Sequence, residues 1–299
     1  LSWLQIGLSK SGNLWLYHIL QKTRLAAGLP SKSFIQDQPI YPIAETWDLS
    51  FPEQASIDTL VINPTQSLYR ISSIFQMPIE DIDAYIRQTS HVWTHSFFGP
   101  LSAKIYPKFE KLVYITRDPR DVAISLSRFA FTAYRLKHFP SGAKNPHDFL
   151  EKNLIETLKQ WAGHVGGHLL EKERFNIHFV FYENLMSNFS KEYDDLLKYL
   201  GIRLNASQRE QIEKEVHFET MKVERSQHLR KGRSGQWSEI LSRTQCRKAE
   251  KIAGPLLDLL NYPDPRIPKK VDAKKIKLSL NRAASAALFE KARRRFIAR

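Results

Sequence analysis

The stretch Trp3-Leu4-Gln5-Ile6-Gly7-Leu8-Ser9-Lys10-Ser11-Gly12-Asn13-Leu14-Trp15 decides how this chain folds. Its apolar start ends at Gly7, and Trp15, Leu16, Ile19 and Leu20 follow at helical spacing. The reading is strand, tight loop, helix. Such a loop lines up backbone N–H groups at a helix N-terminus, where they attract phosphate-like oxyanions. Gly7 and Gly12 have the separation of the nucleoside-triphosphate pattern G-x-x-x-x-G-K-[ST], but Asn13 and Leu14 take the places of its lysine and its Mg²⁺-binding hydroxyl. The lysine lies inside the loop, at position 10. An anion cradle without the metal hydroxyl suits a transferred group that carries less charge and needs no metal, and a sulfuryl group has that property.

Further along, short apolar runs predict strands over 59–62, 112–116 and 177–182, and helical patterns cover 66–75, 79–86, 120–131, 154–170, 189–200, 207–216 and 247–260. The alternation predicts an α/β protein: a central, mostly parallel sheet flanked by helices, with ligands at the carboxyl ends of its strands. Three prolines within 263–268 end the globular body, which gives one domain over 1–268 and a tail over 269–299. With 42% hydrophobic and 25% charged residues among 299, disorder, collagen and coiled coil are excluded. The net charge is +14, nine of it in the tail, where eleven basic side chains face only Asp272 and Glu290. Ile276, Leu280, Ala284, Leu288 and Phe296 recur there at helical spacing, which suits a membrane-surface or partner contact as well as a solvated helix. The lone Cys246 forms no internal disulfide, so a reducing cytoplasm is the expected compartment. No apolar run approaches the roughly 18–20 residues that span a bilayer. Leu1 stands where an initiator methionine would, so whether a leader has been removed stays open.

Ser9-Lys10-Ser11-Gly12-Asn13-Leu14-Trp15 resembles the first loop, P-K-S-G-T-T-W, of the sulfotransferases that use 3′-phosphoadenosine 5′-phosphosulfate (PAPS). Lys10, Ser11, Gly12 and Trp15 match, while Ser9, Asn13 and Leu14 depart. Three later segments add to the resemblance. Arg117 and Ser125 have the spacing of the family's 3′-phosphate grip, a chemically sensible pairing, since Asp118 can cap the next helix, Pro119 suits its first turn and a guanidinium holds phosphate bidentately. Arg230-Lys231-Gly232-Arg233-Ser234-Gly235-Gln236-Trp237 is similar to R-K-G-x-x-G-D-W, implying that Arg230, Lys231 and Gly232 fold over the nucleotide. Tyr182-Glu183-Asn184-Leu185 is similar to Y-E-D-L and implies Tyr182 near the adenosine, with Trp15 offering a stacking face for adenine.

The resemblance implies a three-layer, P-loop-like fold with PAPS as donor, 3′-phosphoadenosine 5′-phosphate (PAP) as product and no metal. It implies cofactor contacts from Lys10, Ser11, Gly12, Asn13, Leu14, Trp15, Arg117, Ser125 and Tyr182. Lys10 would stabilise the leaving phosphate, and His95, in Trp93-Thr94-His95, would be the general base of in-line transfer to an acceptor hydroxyl or amine. Trp93 replaces the lysine of the family's K-T-H, and His91, Glu45 and Glu80 are alternative bases. Aromatic residues in 34–51 and 97–139 (Phe34, Tyr41, Trp47, Phe51, Phe97, Phe98, Phe129, Phe131, Tyr134, Phe139) suggest an apolar mouth for a small-molecule or lipid-like hydroxyl acceptor. No nucleic acid is expected as substrate. Two rival readings remain: a drifted P-loop kinase or hydrolase, and a noncatalytic nucleotide or nucleic-acid binder.

Overall fold

The leading strand–loop–helix unit forms as the sequence predicts and sits at the centre of the molecule. The structure, a computed structural model, describes residues 1–217 and 234–262; Arg230, Lys231, Gly232 and the basic tail lie outside the described residues. Strands β1 (Trp3–Gly7), β2 (Thr59–Ile62), β3 (Ser67–Ile71), β4 (Phe75–Pro78), β5 (His91–Thr94), β6 (Lys111–Thr116) and β7 (Ile177–Phe181) make one sheet in the order β4-β3-β2-β5-β1-β6-β7. The pairs from β2 through β7 are parallel, whereas β3 and β4 are antiparallel. The helices, in chain order, are α1 (Asn13–Ala26), α2 (Tyr41–Ala44), α3 (Ile82–Arg87), α4 (Pro100–Ile105), α5 (Pro119–Phe129), α6 (Ala133–His138), α7 (Pro146–Leu170), α8 (Tyr182–Ser187), α9 (Phe189–Leu200), α10 (Ala206–Val216), α11 (Trp237–Ile240) and α12 (Arg243–Leu259).

Alternate strand residues feed two separate cores, which is why the central strands read as unbroken apolar runs. Leu4, Ile6, Leu112 and Tyr114 pack with Trp161, Ala162 and Val165 of α7 and with Leu256 and Leu257 of α12. Trp3, Val113, Ile115 and Val180 pack on the other face with Leu16 and Ile19 of α1, Leu196 and Leu197 of α9, and Ile212 and Val216 of α10. The sheet is therefore covered on both sides, in three layers. No helix among the described residues is long and apolar enough to cross a membrane.

Two local expectations are corrected. Residues 66–75 are not helical but run through β3 into the turn before β4. Leu68, Ile71 and Phe75 fit a helical period as well as an extended one, and ladder bonds to β2 win, with Leu68 opposite Val61 and Arg70 opposite Thr59. Strand β5 was not expected at all. All four of its residues are buried, so it lacks the alternation that marks a strand with one wet face.

The Arg117-Asp118-Pro119-Arg120-Asp121 turn is locked by a buried ion pair. The Asp118 carboxylate caps α5 through Arg120 N at 2.9 Å and accepts from Arg120 Nη2 at 2.6 Å. The same guanidinium donates to the Tyr262 carbonyl at 2.9 Å and lies 3.5 Å from the Trp237 ring centroid. Arg120→Met should leave Asp118 charged, buried and short of partners, costing about 3–5 kcal/mol in urea unfolding. A loss under about 1 kcal/mol would show that water or a rearranged donor replaces the guanidinium.

Candidate active site at the strand ends

The loop after β1 is built to bring backbone close to a ligand. Lys10 has φ +70° and Gly12 has φ +97°. Ser11 N donates to the Leu8 carbonyl at 3.2 Å, Asn13 Nδ2 donates to the same oxygen at 2.7 Å, and Gln5 Nε2 holds the Asn13 carbonyl at 2.7 Å. A Cβ on Gly12 would stand 2.6 Å from a Tyr182 ring carbon, so only glycine lets the loop lie against that ring.

Above this loop, a cavity of about 460 Å³ opens at the carboxyl ends of β1, β5 and β6. Lys10, Gly12, Asn13, Leu14, Trp15, His95, Arg117, Ser125 and Tyr182 all line it. Ser11 does not; it is buried beneath the loop. Arg117 donates from Nη1 to the Lys10 carbonyl at 3.5 Å, and its guanidinium lies 4.2 Å from the Tyr182 ring centroid. The Asn13 amide is turned back onto Leu8, and Leu14 belongs to the core under α1. Trp15 meets Tyr182 edge-on, at 5.5 Å and 77°, and its indole N–H is bonded to the Val216 carbonyl at 2.8 Å.

His95 follows β5, and its Nδ1 is bonded to the Gly7 carbonyl. A carbonyl only accepts, so Nδ1 carries the proton and Nε2 is left as the basic nitrogen. Burial, reinforced by Arg70, lowers the imidazole to about 4 against the opposing Gly7 bond, so the ring is neutral at physiological pH. Burial and then the Arg117 charge lower Lys10 to about 7, and its ammonium rests 4.1 Å from the Phe129 ring centroid. The alternative bases fall away. His91 is buried against Gln21, Glu45 is exposed and takes the Tyr41 hydroxyl, Glu80 is exposed, and none of the three lines the cavity.

The cavity wall is largely apolar, with Ile57, Trp93, Ile124 and Leu126 among its residues, but most of the aromatic side chains expected there lie elsewhere. Of the ten aromatic candidates only Phe51, Phe129 and Tyr134 line the cavity; Phe34 and Phe98 pack into the core against Tyr85 and Tyr106. Polar groups join the apolar wall: Ser50 and Gln54 from the turn before β2, Thr59 of β2, and Arg70, Ser72 and Ser73 from β3 and the turn after it, the last three from a strand and turn that the sequence does not reveal. The sequence reading also missed Arg128, Arg135 and Asp121. The Asp121 carboxylate accepts from Gly235 N at 2.6 Å and Trp237 N at 3.0 Å, pinning the described end of the Arg230–Trp237 segment to α5. The aspartate two residues after Pro119 was its only signal.

Fold and cavity together define an α/β protein with a cavity lined by cationic side chains where the parallel strands end. The chain belongs to the sulfotransferase domain family, which matches residues 3–261. It is 25% identical over 261 residues to cytosolic sulfotransferase 1 of Danio rerio, covering 81% of this chain and 78% of that protein. It is also 25% identical over 260 residues to sulfotransferase 2A1 of Homo sapiens, covering 81% and 79%. Among solved structures, mouse sulfotransferase SULT7A1 complexed with PAP shares the fold, with a TM-score of 0.57, 19% identity and coverage of 86% of this chain and 84% of that one. A retinol dehydratase in complex with androsterone and inactive cofactor PAP aligns equally well, at 0.57, with 18% identity and coverage of 89% and 83%. The chain is thus an enzyme of sulfuryl transfer, which displaces the kinase and noncatalytic-binder readings.

Gly12→Ala should destabilise the fold by about 1–3 kcal/mol through its positive φ, with a further penalty from the Tyr182 ring, as read by chemical denaturation. An unchanged midpoint would mean that the loop relaxes freely.

Proposed function

We propose that this enzyme takes its sulfuryl group from PAPS and passes it to a small-molecule hydroxyl acceptor, with His95 as general base and Lys10 at the leaving phosphate. The observation that carries the reading is that Lys10, His95, Arg117 and Ser125, distant in sequence, line one cavity. The residues present fit a doubly phosphorylated nucleotide. Lys10, Arg117 and Arg128 line the cavity near the strand ends, and its one lining carboxylate, Asp121, is already engaged by two backbone N–H groups. The glycine-dependent cradle beside Tyr182 leaves room for backbone to approach an anion.

When bound, the donor supplies an activated sulfuryl group on a phosphate leaving group. Arg117, with its charge and fork of donors, and Ser125, with its hydroxyl, hold the 3′-phosphate. Lys10 and the loop N–H groups hold the 5′ end, and Lys10 neutralises charge as it develops on the departing oxygen. The anion also favours protonated Lys10, offsetting the burial and the Arg117 repulsion that lower its pKa. His95 Nε2 accepts the acceptor's proton, with the Gly7 carbonyl fixing its tautomer. Trp93, where the family pattern has lysine, supplies an apolar wall and no second cation. We take 1–268 as the catalytic domain, with Arg230, Lys231 and Gly232 as further donor contacts. The basic 269–299 tail is read as an appendage and the compartment as cytoplasmic.

Calorimetry should show tight binding of PAP over AMP, weakened about 10- to 150-fold by Arg117→Ala, the equivalent of losing a charge-assisted bond of roughly 1.5–3 kcal/mol. Equal affinity for both nucleotides would remove the 3′-phosphate assignment. His95→Ala should bind PAP normally and transfer no sulfate; undiminished turnover would remove the base.

The pH profile of kcat/KM follows from the two shifted groups. Activity should fall below about pH 4, as His95 gains a proton, and above about pH 7, as Lys10 loses one. Lys10→Arg should push the alkaline fall upward, because a guanidinium keeps its charge. An alkaline limb unmoved in that variant would assign it to another group.

A further inference from the structure

Arg70 is a guanidinium built into the cavity wall with no ion-pair partner among the described residues. Its place follows from sheet register: Arg70 pairs with Thr59 across β3–β2, and Thr59 pairs with Trp93 across β2–β5. Paired residues share a face of the sheet, and all three line the cavity in one row, with His95 two residues beyond Trp93. Arg70 Nε is shielded from solvent and makes no hydrogen bond, and Arg70 forms no salt bridge among the described residues. Burial lowers its pKa, and the group that counters this is Tyr134, whose hydroxyl is bonded to the Ser72 hydroxyl. No ion pair among the described residues accounts for an arginine on this strand.

The donor does not explain it either. Arg117 follows β6 and Arg70 lies on β3, four strand spacings apart in the sheet order, on the order of 19 Å of backbone separation. His95 follows β5, between the two, only two spacings from Arg70, about 10 Å less the reach of the side chain. Around Arg70 the wall offers polar groups: Ser73 contributes a hydroxyl, the Ser72 hydroxyl is shared with Tyr134, the Thr59 hydroxyl donates to the Ile57 carbonyl, and Gln54, whose Oε1 accepts from Ser50 N at 3.0 Å, keeps its amide NH₂ as a donor. Arg135 of α6 lines the same end, its guanidinium lying over the Phe139 and Phe129 rings rather than against a carboxylate.

We propose that the acceptor is itself an anion, a small hydroxyl compound whose carboxylate or phosphate is bound by Arg70 while its hydroxyl faces His95. This rests on the sulfuryl-transfer reading and names the substrate class of that site. It replaces the hydrophobic alcohol or phenol that the aromatic-rich segments suggest. It also accounts for the polar wall beyond His95. An anion on Arg70 offsets the charge that, after burial, does most to hold His95 in its weakly basic state, so the right acceptor strengthens the base that deprotonates it.

The test uses the full chain and two matched pairs of probes: 4-hydroxyphenylacetate against 4-hydroxyphenylacetamide, and 4-hydroxyphenyl phosphate against hydroquinone. Binding to the PAP-saturated protein is measured by calorimetry, and transfer is followed from labelled PAPS. The anionic member of at least one pair should be preferred about tenfold or more in Kd and in kcat/KM. Whether the carboxylate or the phosphate pair shows the larger preference identifies which anion the site takes. Arg70→Gln should bring that ratio near one, chiefly through KM, and Arg70→Lys should retain part of it, while PAP affinity stays within about twofold of wild type. Neutral members bound as well as anionic ones by the wild-type protein, or a preference that survives Arg70→Gln, would overturn the assignment. Failure of the wild-type chain to bind PAP would sink the donor reading instead. The probe pairs, measured by calorimetry without nucleotide, still decide the role of Arg70 in that case.

Discussion

The parallel register of β1 between β5 and β6 is the constraint on which the rest of the site depends. Ile6 stands level with Thr94 on one side, and Gly7 with Ile115 on the other. The next residues of each chain segment must therefore emerge at the same edge: the Lys10 loop from β1, His95 from β5 and Arg117 from β6. The Gly7 carbonyl, the last group of β1, bonds His95 Nδ1 and so couples strand register directly to the tautomer of the base. A slip of one residue would flip the side chains to the opposite face and separate the three groups. The two buried cores, filled by alternate residues of the same strands, make such a slip prohibitive.

Charge organises the space that this register creates. The cavity gathers cations without matching carboxylates, an arrangement that weakens the empty protein and favours anionic ligands. Its one acid, Asp121, accepts from Gly235 N and Trp237 N while the Arg117 charge holds its carboxyl down against burial, so it serves both the chain and that guanidinium. Asp118, one residue after Arg117, is likewise taken by Arg120 and by the N-terminus of α5. The two acids nearest Arg117 in sequence are thus committed to architecture, and its guanidinium lies over the Tyr182 ring.

That the residues proposed for the donor meet in one cavity was legible in the sequence because each is part of a short local segment at a strand end. Lys10, Gly12, Arg117, Ser125 and Tyr182 lie in such segments, so their spacing carries the information. The acceptor half was not legible. Arg70 sits in Ser67-Leu68-Tyr69-Arg70-Ile71, whose apolar spacing fits a helix, and only pairing with β2 makes it a strand and aims row-mates at one face. Phe34 and Phe98, which composition suggests for a ligand mouth, are core because the short turns and helices near them fold inward on Tyr69, Tyr85 and Tyr106. Aromatic content measures the need for a core at least as strongly as it marks a pocket. Long-range pairing, which no local pattern encodes, settled the matter.

The same contrast explains why the two halves differ in chemical character. In the proposed reading, a nucleotide with fixed phosphates would be met by backbone N–H groups and by side chains whose positions are set within one turn of a strand end. The acceptor would be met by side chains from β3, from the 50–54 turn and from α6, joined by the Ser72–Tyr134 hydroxyl bond. That bond ties a helix to a hairpin across the mouth of the cavity, so the acceptor wall is assembled by tertiary contact alone. Substitutions along β3 or α6 can therefore change what is accepted without disturbing the strand ends, where Lys10, His95 and Arg117 are held by the register of three neighbouring parallel strands.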